Sequence, residues 1–194
     1  MRDRHGRFEG SYPHFHMDAT LSLGLPRMNV SGTLLEGIAL WGELRPTLTR
    51  EALVERALRY CDLAVSQGLL AIRSHVDTSD PRLVTAEALI EVRDRVKDYL
   101  DLQLVAFPQD GYFRSPGGAA ALDRALDMGL DVVGGIPHFE RTMEDGAQSV
   151  AALCRIAAER GLPALVVWLG FLVLVVRDLI GRLKAPDTTA LAAA

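Results

Sequence analysis

Cysteine, one-signed charge, glycine-rich phosphate loops and an apolar leader are all scarce or missing here, and each absence narrows what the chain can do. Its two cysteines, Cys61 and Cys154, form neither a CxxC spacing nor an even framework. That excludes a disulfide scaffold or zinc-finger site and predicts two buried free thiols in a reducing compartment. Lys and Arg number 21 against 25 Asp and Glu, a formal net charge of -4 with the signs intermixed. No basic stripe for nucleic acid and no polybasic membrane patch results. The first residues are charged and polar from Arg2 to Glu9, without the apolar stretch of a secretory signal, which predicts the cytoplasm. Neither GxGxxG nor GxxxxGK[ST] follows any apolar run, so nucleotide-binding doubly wound folds lose their main support. A small-molecule partner remains, with self-association left open.

What is present is a repeating alternation of two textures. Thr49 caps a helix whose apolar positions Leu53, Ala57, Leu58, Cys61, Ala64 and Val65 follow the helical period, and Gly68 stops it. Leu69 to Ile72 then reads as a short buried strand. Asp80 and Pro81 start a second helix through Leu89, Ile90, Val92 and Val96, followed by a strand from Leu102 to Phe107. Ser115 and Pro116 open a third helix ending at Gly129, with a strand from Leu130 to Ile136 after it. A fourth helix is expected from Thr142 to Arg160, stopped by Gly161. Strand starts recur at about thirty residues, the length of one strand-helix unit in a parallel sheet. The fold class is therefore α/β. The architecture that fits is a partial (β/α)8 TIM-type barrel of the first four to five strand-helix units over residues 1–160. A complete flavodoxin-like domain with another ligand is the rival.

Each strand runs out into a polar cluster: Pro13 to Asp18, Arg73 to Asp77, Phe107 to Gly111 and Ile136 to Glu140. In a barrel these clusters share the rim where active sites are built. Side chains two apart on a strand share a face, so His14 and His16 can offer two imidazole nitrogens to one cation; solvated or capping histidines are the plain alternative. His75 and Asp77 read either as groups behind such ligands or as packed, hydrogen-bonded residues. Asp18 reads as a brace for the following loop. His138 and Glu140 line the pocket or satisfy loop backbone. Gln109 carries a donor and an acceptor, so it can read an amide-like ring edge offering the reverse pair.

At these residues the chain resembles the cytosine deaminase branch of the metal-dependent amidohydrolase superfamily. The matching stretches are PHFHMDATLSLG from Pro13, SGTLLEGI from Ser31, RSHVDTSD from Arg73, DLQLVAFPQDG from Asp101 and LDVVGGIPHFE from Leu130. The resemblance implies a (β/α)8 barrel holding one Fe2+ or Zn2+ and hydrolytic deamination of a pyrimidine-like ring. It also implies that His14 and His16 are two metal ligands, that Gln109 hydrogen-bonds the substrate ring, and that Leu34, in the loop after the first strand, packs on it. Metal lowers the pKa of water, and a carboxylate moves the proton to the ring and on to ammonia.

The departures are equally specific. Where the family has a His-x-Asp-Glu-like motif ending a fifth strand, this sequence reads Val166-Val167-Trp168-Leu169-Gly170. The third metal ligand and the catalytic Glu are thus missing, no catalytic residue is assigned, and metal held by two histidines alone is expected to be weak. Residues 161–194 form a divergent apolar tail, read as the product of truncation or a disrupted frame. The expectation is an inactive fragment of a deaminase. The alternative is a non-catalytic remnant whose uncharged run from Gly161 to Val176 associates with a membrane, although that run is shorter than the about twenty apolar residues of a spanning helix.

Overall fold

The computed structural model describes residues 11–160. Residues 1–153 group as one compact unit and Cys154–Ala194 as another, of which only residues 154–160 are described. The tail expected at 161–194 lies outside the described residues.

Four strands form one parallel sheet in the order β1-β2-β3-β4: Ser11–Phe15, Ala71–Asp77, Asp101–Phe107 and Val132–Val133. Between them run α1 (Leu34–Leu44), α2 (Arg50–Ser66), α3 (Val84–Val96) and α4 (Gly118–Met128). Residues 143–160 are helical and follow β4 as α5. The α/β class and its partial-barrel order match the sequence reading, since each strand lies beside the next in chain order with helices as the crossovers.

Alternation explains why the second strand extends past Ile72 to Asp77. Ile72, Ser74 and Val76 are buried, whereas Arg73 is exposed and His75 half-buried, the period of two that a one-sided sheet requires. The polar cluster therefore belongs to the strand. On β3, Leu102, Leu104 and Ala106 are buried where α3 and α4 pack across the strand, and Val105 and Phe107 on its other face are buried as well, so the strand is covered on both sides toward its carboxyl end. On the opposite face the Arg73 Nε donates to Gln103 Oε1 at 2.6 Å.

Strand β4 is shorter than the expected Leu130 to Ile136. Gly134 follows it, and a Cβ there would meet Val105 Cγ1 at 2.7 Å, while one at Gly135 would collide with Leu153. The close approach of backbone to its neighbours, not strand propensity, decides these two positions. Helix α3 begins at Val84 and not at Asp80, because the Asp80 carboxylate turns back to the Arg82 N–H at 2.9 Å and its guanidinium at 2.7 Å. Helix α4 begins at Gly118, after a turn in which the Gly118 N–H donates to Ser115 O.

The cysteines correct one expectation. Cys61 is buried on α2, but Cys154 is exposed, because it lies off the face that Leu153 turns inward. Burial pushes the Cys61 thiol up to about 11, and the thiolate is the reactive form. Alkylation of native protein at about pH 8 should label Cys154 and spare Cys61. Peptide mass mapping checks this; equal labelling of both would contradict the buried position of Cys61.

Candidate active site

Strand β1 carries a register shift between Tyr12 and Phe15. Tyr12 pairs with Ile72 and Phe15 with Ser74, so the extra residue falls at Pro13 and His14, opposite Arg73. Phe15 stacks on Tyr60 of α2 at 4.5 Å, on the helix side of the sheet. His14 and His16 take the other side. There His14 meets His75 of β2 with ring centroids 4.0 Å apart and the planes tilted by 34°. His14 to His16 is 5.3 Å and His16 to His75 is 5.6 Å. The Phe107 ring closes the group edge-on, 5.7 Å from His16 and 5.2 Å from His75.

Two of these imidazoles, His16 and His75, are pushed toward the neutral form. Desolvation by burial lowers the His16 pKa, with a further push from His14. The same causes, burial first and then His14 and His16, lower His75 to about 4. Neutral imidazole is the ligand form for a transition metal. The His75 Nδ1 is buried and has no hydrogen-bond partner, and two of the three ring separations match the about 5 Å expected of imidazoles sharing a tetrahedral ion at about 2.0–2.1 Å per nitrogen. By donor chemistry and spacing, the residues fit part of an imidazole set. Among the described residues, however, no group of three or more His, Cys, Asp or Glu is placed to hold a metal ion as it stands.

Behind the histidines lies a buried polar network. The Met17 N–H donates to Ser74 Oγ at 3.0 Å. Asp18, 1% exposed, accepts the Asp77 N–H at 2.9 Å and the Ala19 N–H at 3.0 Å. Burial pushes its carboxyl up to about 7 despite those donors. Asp18 thus ties the turn after His16 to the end of β2, the bracing role expected of it. Asp77 is equally buried; its carboxylate accepts from Trp41 Nε1 at 2.7 Å, Arg45 at 2.9 Å and the Ser79 N–H at 2.7 Å. Arg45 also pairs with Asp110 at 2.8 Å, joining the ends of β2 and β3. Trp41 and Arg45 were not legible as site residues. Their signal was Thr33 with Glu36 three residues on, a capping pattern that announces α1; Thr33 Oγ1 does accept the Glu36 N–H.

The remaining expected site residues are placed as follows. Gln109 is half-buried two residues beyond β3, with its N–H donating to Phe107 O at 2.9 Å. Parallel pairing of β3 with β2 sets it at the same end of the sheet as Asp77. Leu34 is not in a loop: it is the first residue of α1 and 79% exposed. His138 is exposed on the 3₁₀ turn Pro137–Phe139 and is not among the clustered rings. Glu140 satisfies loop backbone, accepting from the N–H groups of Tyr112, Phe113 and Arg114 at 2.6, 3.2 and 2.9 Å.

No family model matches the chain. Over 107 residues, 55% of its length, it is 33% identical to N-isopropylammelide isopropyl amidohydrolase of Pseudomonas sp. (strain ADP), covering 26% of that protein. Its fold superposes on 5-methylcytosine deaminase from Klebsiella pneumoniae, liganded with 5-fluorocytosine, with a TM-score of 0.75 and 43% identity, over 78% of this chain and 37% of that one. N-isopropylammelide isopropylaminohydrolase from Burkholderia multivorans ATCC 17616 gives a TM-score of 0.61 and 28% identity, over 78% of this chain and 38% of that one. The chain therefore spans well under half the length of these relatives. In sequence and in fold, it matches the N-terminal part of the amidohydrolase-superfamily barrel in its cytosine deaminase branch.

Proposed function

We propose that the chain carries the metal-holding and ring-reading part of a site for hydrolytic deamination of a pyrimidine-like ring. The observation that supports this is His14 on the open face of β1 with His16 just past the strand's end, their ring centroids 5.3 Å apart at the carboxyl end of a parallel sheet, where barrel sites are built. The 43% identity to a protein solved with 5-fluorocytosine points to an aminated pyrimidine, with aminated triazines as the related class.

In this reading His14 and His16 hold one Fe2+ or Zn2+ through neutral imidazoles. Bound there, the metal supplies the Lewis acidity that makes water nucleophilic at neutral pH. Gln109 meets the amide-like edge of the ring, accepting from its N–H and donating to its carbonyl, which fixes the amine-bearing carbon over the metal side. Leu34, exposed at the start of α1, packs on the ring once substrate is present. Asp18 and Asp77 hold the turn after His16 in place, and His75 supports the rings. Water adds to the amine-bearing carbon and ammonia leaves. That exchange needs a group to pass the proton from water to the ring and then to the amine, and we assign it to none of residues 11–160.

The working unit we propose therefore has residues 1–160 as the amidohydrolase portion, acting on a small molecule in the cytoplasm; among the described residues no helix is long and apolar enough to cross a membrane. The membrane alternative rests on residues 161–176, outside the described residues. The test is ammonia release from cytosine, 5-methylcytosine and aminotriazines by two proteins: the 194-residue chain, and a fusion joining residues 1–160 to the matching remainder of the Klebsiella pneumoniae deaminase. The chain by itself should release none, and the fusion should deaminate at least one pyrimidine. A folded, metal-loaded fusion that ignores every aminopyrimidine would end the substrate assignment.

A further inference from the structure

A group that reads a ring must sit within about 0.5 Å of its productive place, and loops hold side chains less exactly than strands do. Gln109 stands on a loop, but the residues after it are tied on both sides. The Asp110 N–H donates to Ser79 Oγ at 2.9 Å, and the Asp110 carboxylate pairs with the Arg45 guanidinium at 2.8 Å. Beyond it, Glu140 accepts from the N–H groups of Tyr112, Phe113 and Arg114. Gln109 itself is bonded through its backbone, and its side-chain amide has no hydrogen-bond partner among the described residues. We propose that Arg45 and Asp110 are positioning residues, a pair that aims the Gln109 amide at the ring edge and sets its distance from the turn after His16. This rests on the reading of Gln109 as the ring-reading residue and names the groups through which it acts.

The path across the site is short and continuous. One Arg45 nitrogen, Nη1, donates to Asp77 Oδ2 at 2.9 Å and the other, Nη2, pairs with Asp110 Oδ2 at 2.8 Å. A single planar fork thus sets the spacing of the loops after β2 and β3. The Asp77 N–H donates in turn to Asp18 Oδ2 at 2.9 Å, two residues past His16. The strands themselves do not need this pair, because β2 and β3 stay in register over their whole length and the Thr78 N–H donates to Phe107 O at 2.9 Å. What the pair adds lies beyond Phe107, where Gln109 sits. With the Asp110 side chain 37% exposed, the Arg45–Asp110 bond contributes little to stability. Its consequence is the setting of one loop, and so the aim of one amide.

The experiment has two arms. In the 194-residue chain, hydrogen exchange at the Gln109 and Gly111 amides is compared between wild type and Asp110→Ala, and it should speed up by about tenfold or more in the variant while the strand amides keep their protection. In the fusion of residues 1–160 with the remainder of the Klebsiella pneumoniae deaminase, KM, kcat, bound metal and the unfolding curve are read for the parent, Asp110→Ala, Arg45→Lys, Gln109→Ala and the Gln109→Ala/Asp110→Ala double variant. Asp110→Ala should raise KM for the pyrimidine about tenfold, the worth of one hydrogen bond to the ring, with metal content and unfolding midpoint at parental values. Arg45→Lys, which keeps the charge and loses the fork, should raise KM similarly. In the Gln109→Ala background, Asp110→Ala should add nothing, because it acts only through Gln109. Unchanged exchange, a KM within about twofold of the parent, or an equal further rise in the Gln109→Ala background overturns the inference and leaves the deaminase reading standing. A change confined to the unfolding curve makes the pair a structural tie, and the inference falls. A parent fusion without turnover on any pyrimidine ends the deaminase reading, and this inference with it.

Discussion

Asp77→Ala should lower the stability of the chain by about 3 kcal/mol, at the lower end of the 3–5 kcal/mol typical when one partner of a buried ion pair is removed. The carboxylate is 1% exposed and serves three donors on three segments: the Trp41 indole at 2.7 Å, the Arg45 guanidinium at 2.9 Å and the Ser79 backbone N–H at 2.7 Å. Alanine leaves all three short of an acceptor where water has little access, and each unsatisfied buried donor costs about 1–3 kcal/mol. Two features hold the loss at the lower end. Arg45 keeps Asp110 at 2.8 Å, so its charge is not orphaned, and its side chain is 19% exposed. Asp77→Asn keeps one acceptor oxygen and should lose less than half as much. Urea unfolding followed by circular dichroism measures both. A loss under about 1 kcal/mol for the alanine variant, the range of a surface ion pair, would mean that this network does not hold α1 to the sheet.

The same residues show what could and could not be read from the chain. Helices α2 to α5 follow apolar periodicity and their breakers, and Gly68 and Gly129 stand at the stops expected of them. Those features are local, so the sequence displays them. Strand ends are not local. Arg73 to Asp77 looks polar in sequence, yet it is strand, because Ser74 and Val76 face the helices while Arg73 and His75 face away. The Gly134–Gly135 pair reads as part of an apolar run, but its role is to let backbone approach Val105 and Leu153.

The site divides in the same way. His14 and His16 stand out because two imidazoles at strand spacing are informative by themselves. That His75 joins them depends on the register shift between Tyr12 and Phe15, which no periodicity announces. Asp18 and Asp77 are 59 residues apart in sequence, and one bond from the Asp77 N–H to Asp18 Oδ2 joins them; Trp41 enters through Asp77, and Arg45 through Asp77 and Asp110. Leu34 was expected in a loop, whereas the Thr33 cap turns it into the first residue of a helix. Long-range hydrogen bonds and bulges decide these positions, and neither leaves a pattern in the sequence.

The second large effect expected is on chemistry. In the fusion that completes the barrel, His14→Ala or His16→Ala should reduce ammonia release by on the order of 10³-fold or more, at least what loss of a general acid or base costs. His16 is the more informative of the two. Its ring lies 5.3 Å from His14 and 5.6 Å from His75, and burial keeps it neutral by lowering its pKa, so its nitrogen stays available where a cation is held. Removing it takes away a donor without touching the Asp18 bond that ties the following turn to β2, and the fold should survive. Metal content then separates the causes, since a variant that folds, carries less than one metal per chain and has lost turnover has lost its site and nothing else. The most direct measurement is the rate of ammonia release from cytosine by the fusion, before and after His16→Ala, at equal folded protein and saturating Zn2+ or Fe2+. The expected result is turnover in the parent and a fall of at least about 10³-fold in the variant; a variant that keeps its rate within about tenfold would contradict the assignment of this face of the sheet as the reacting site.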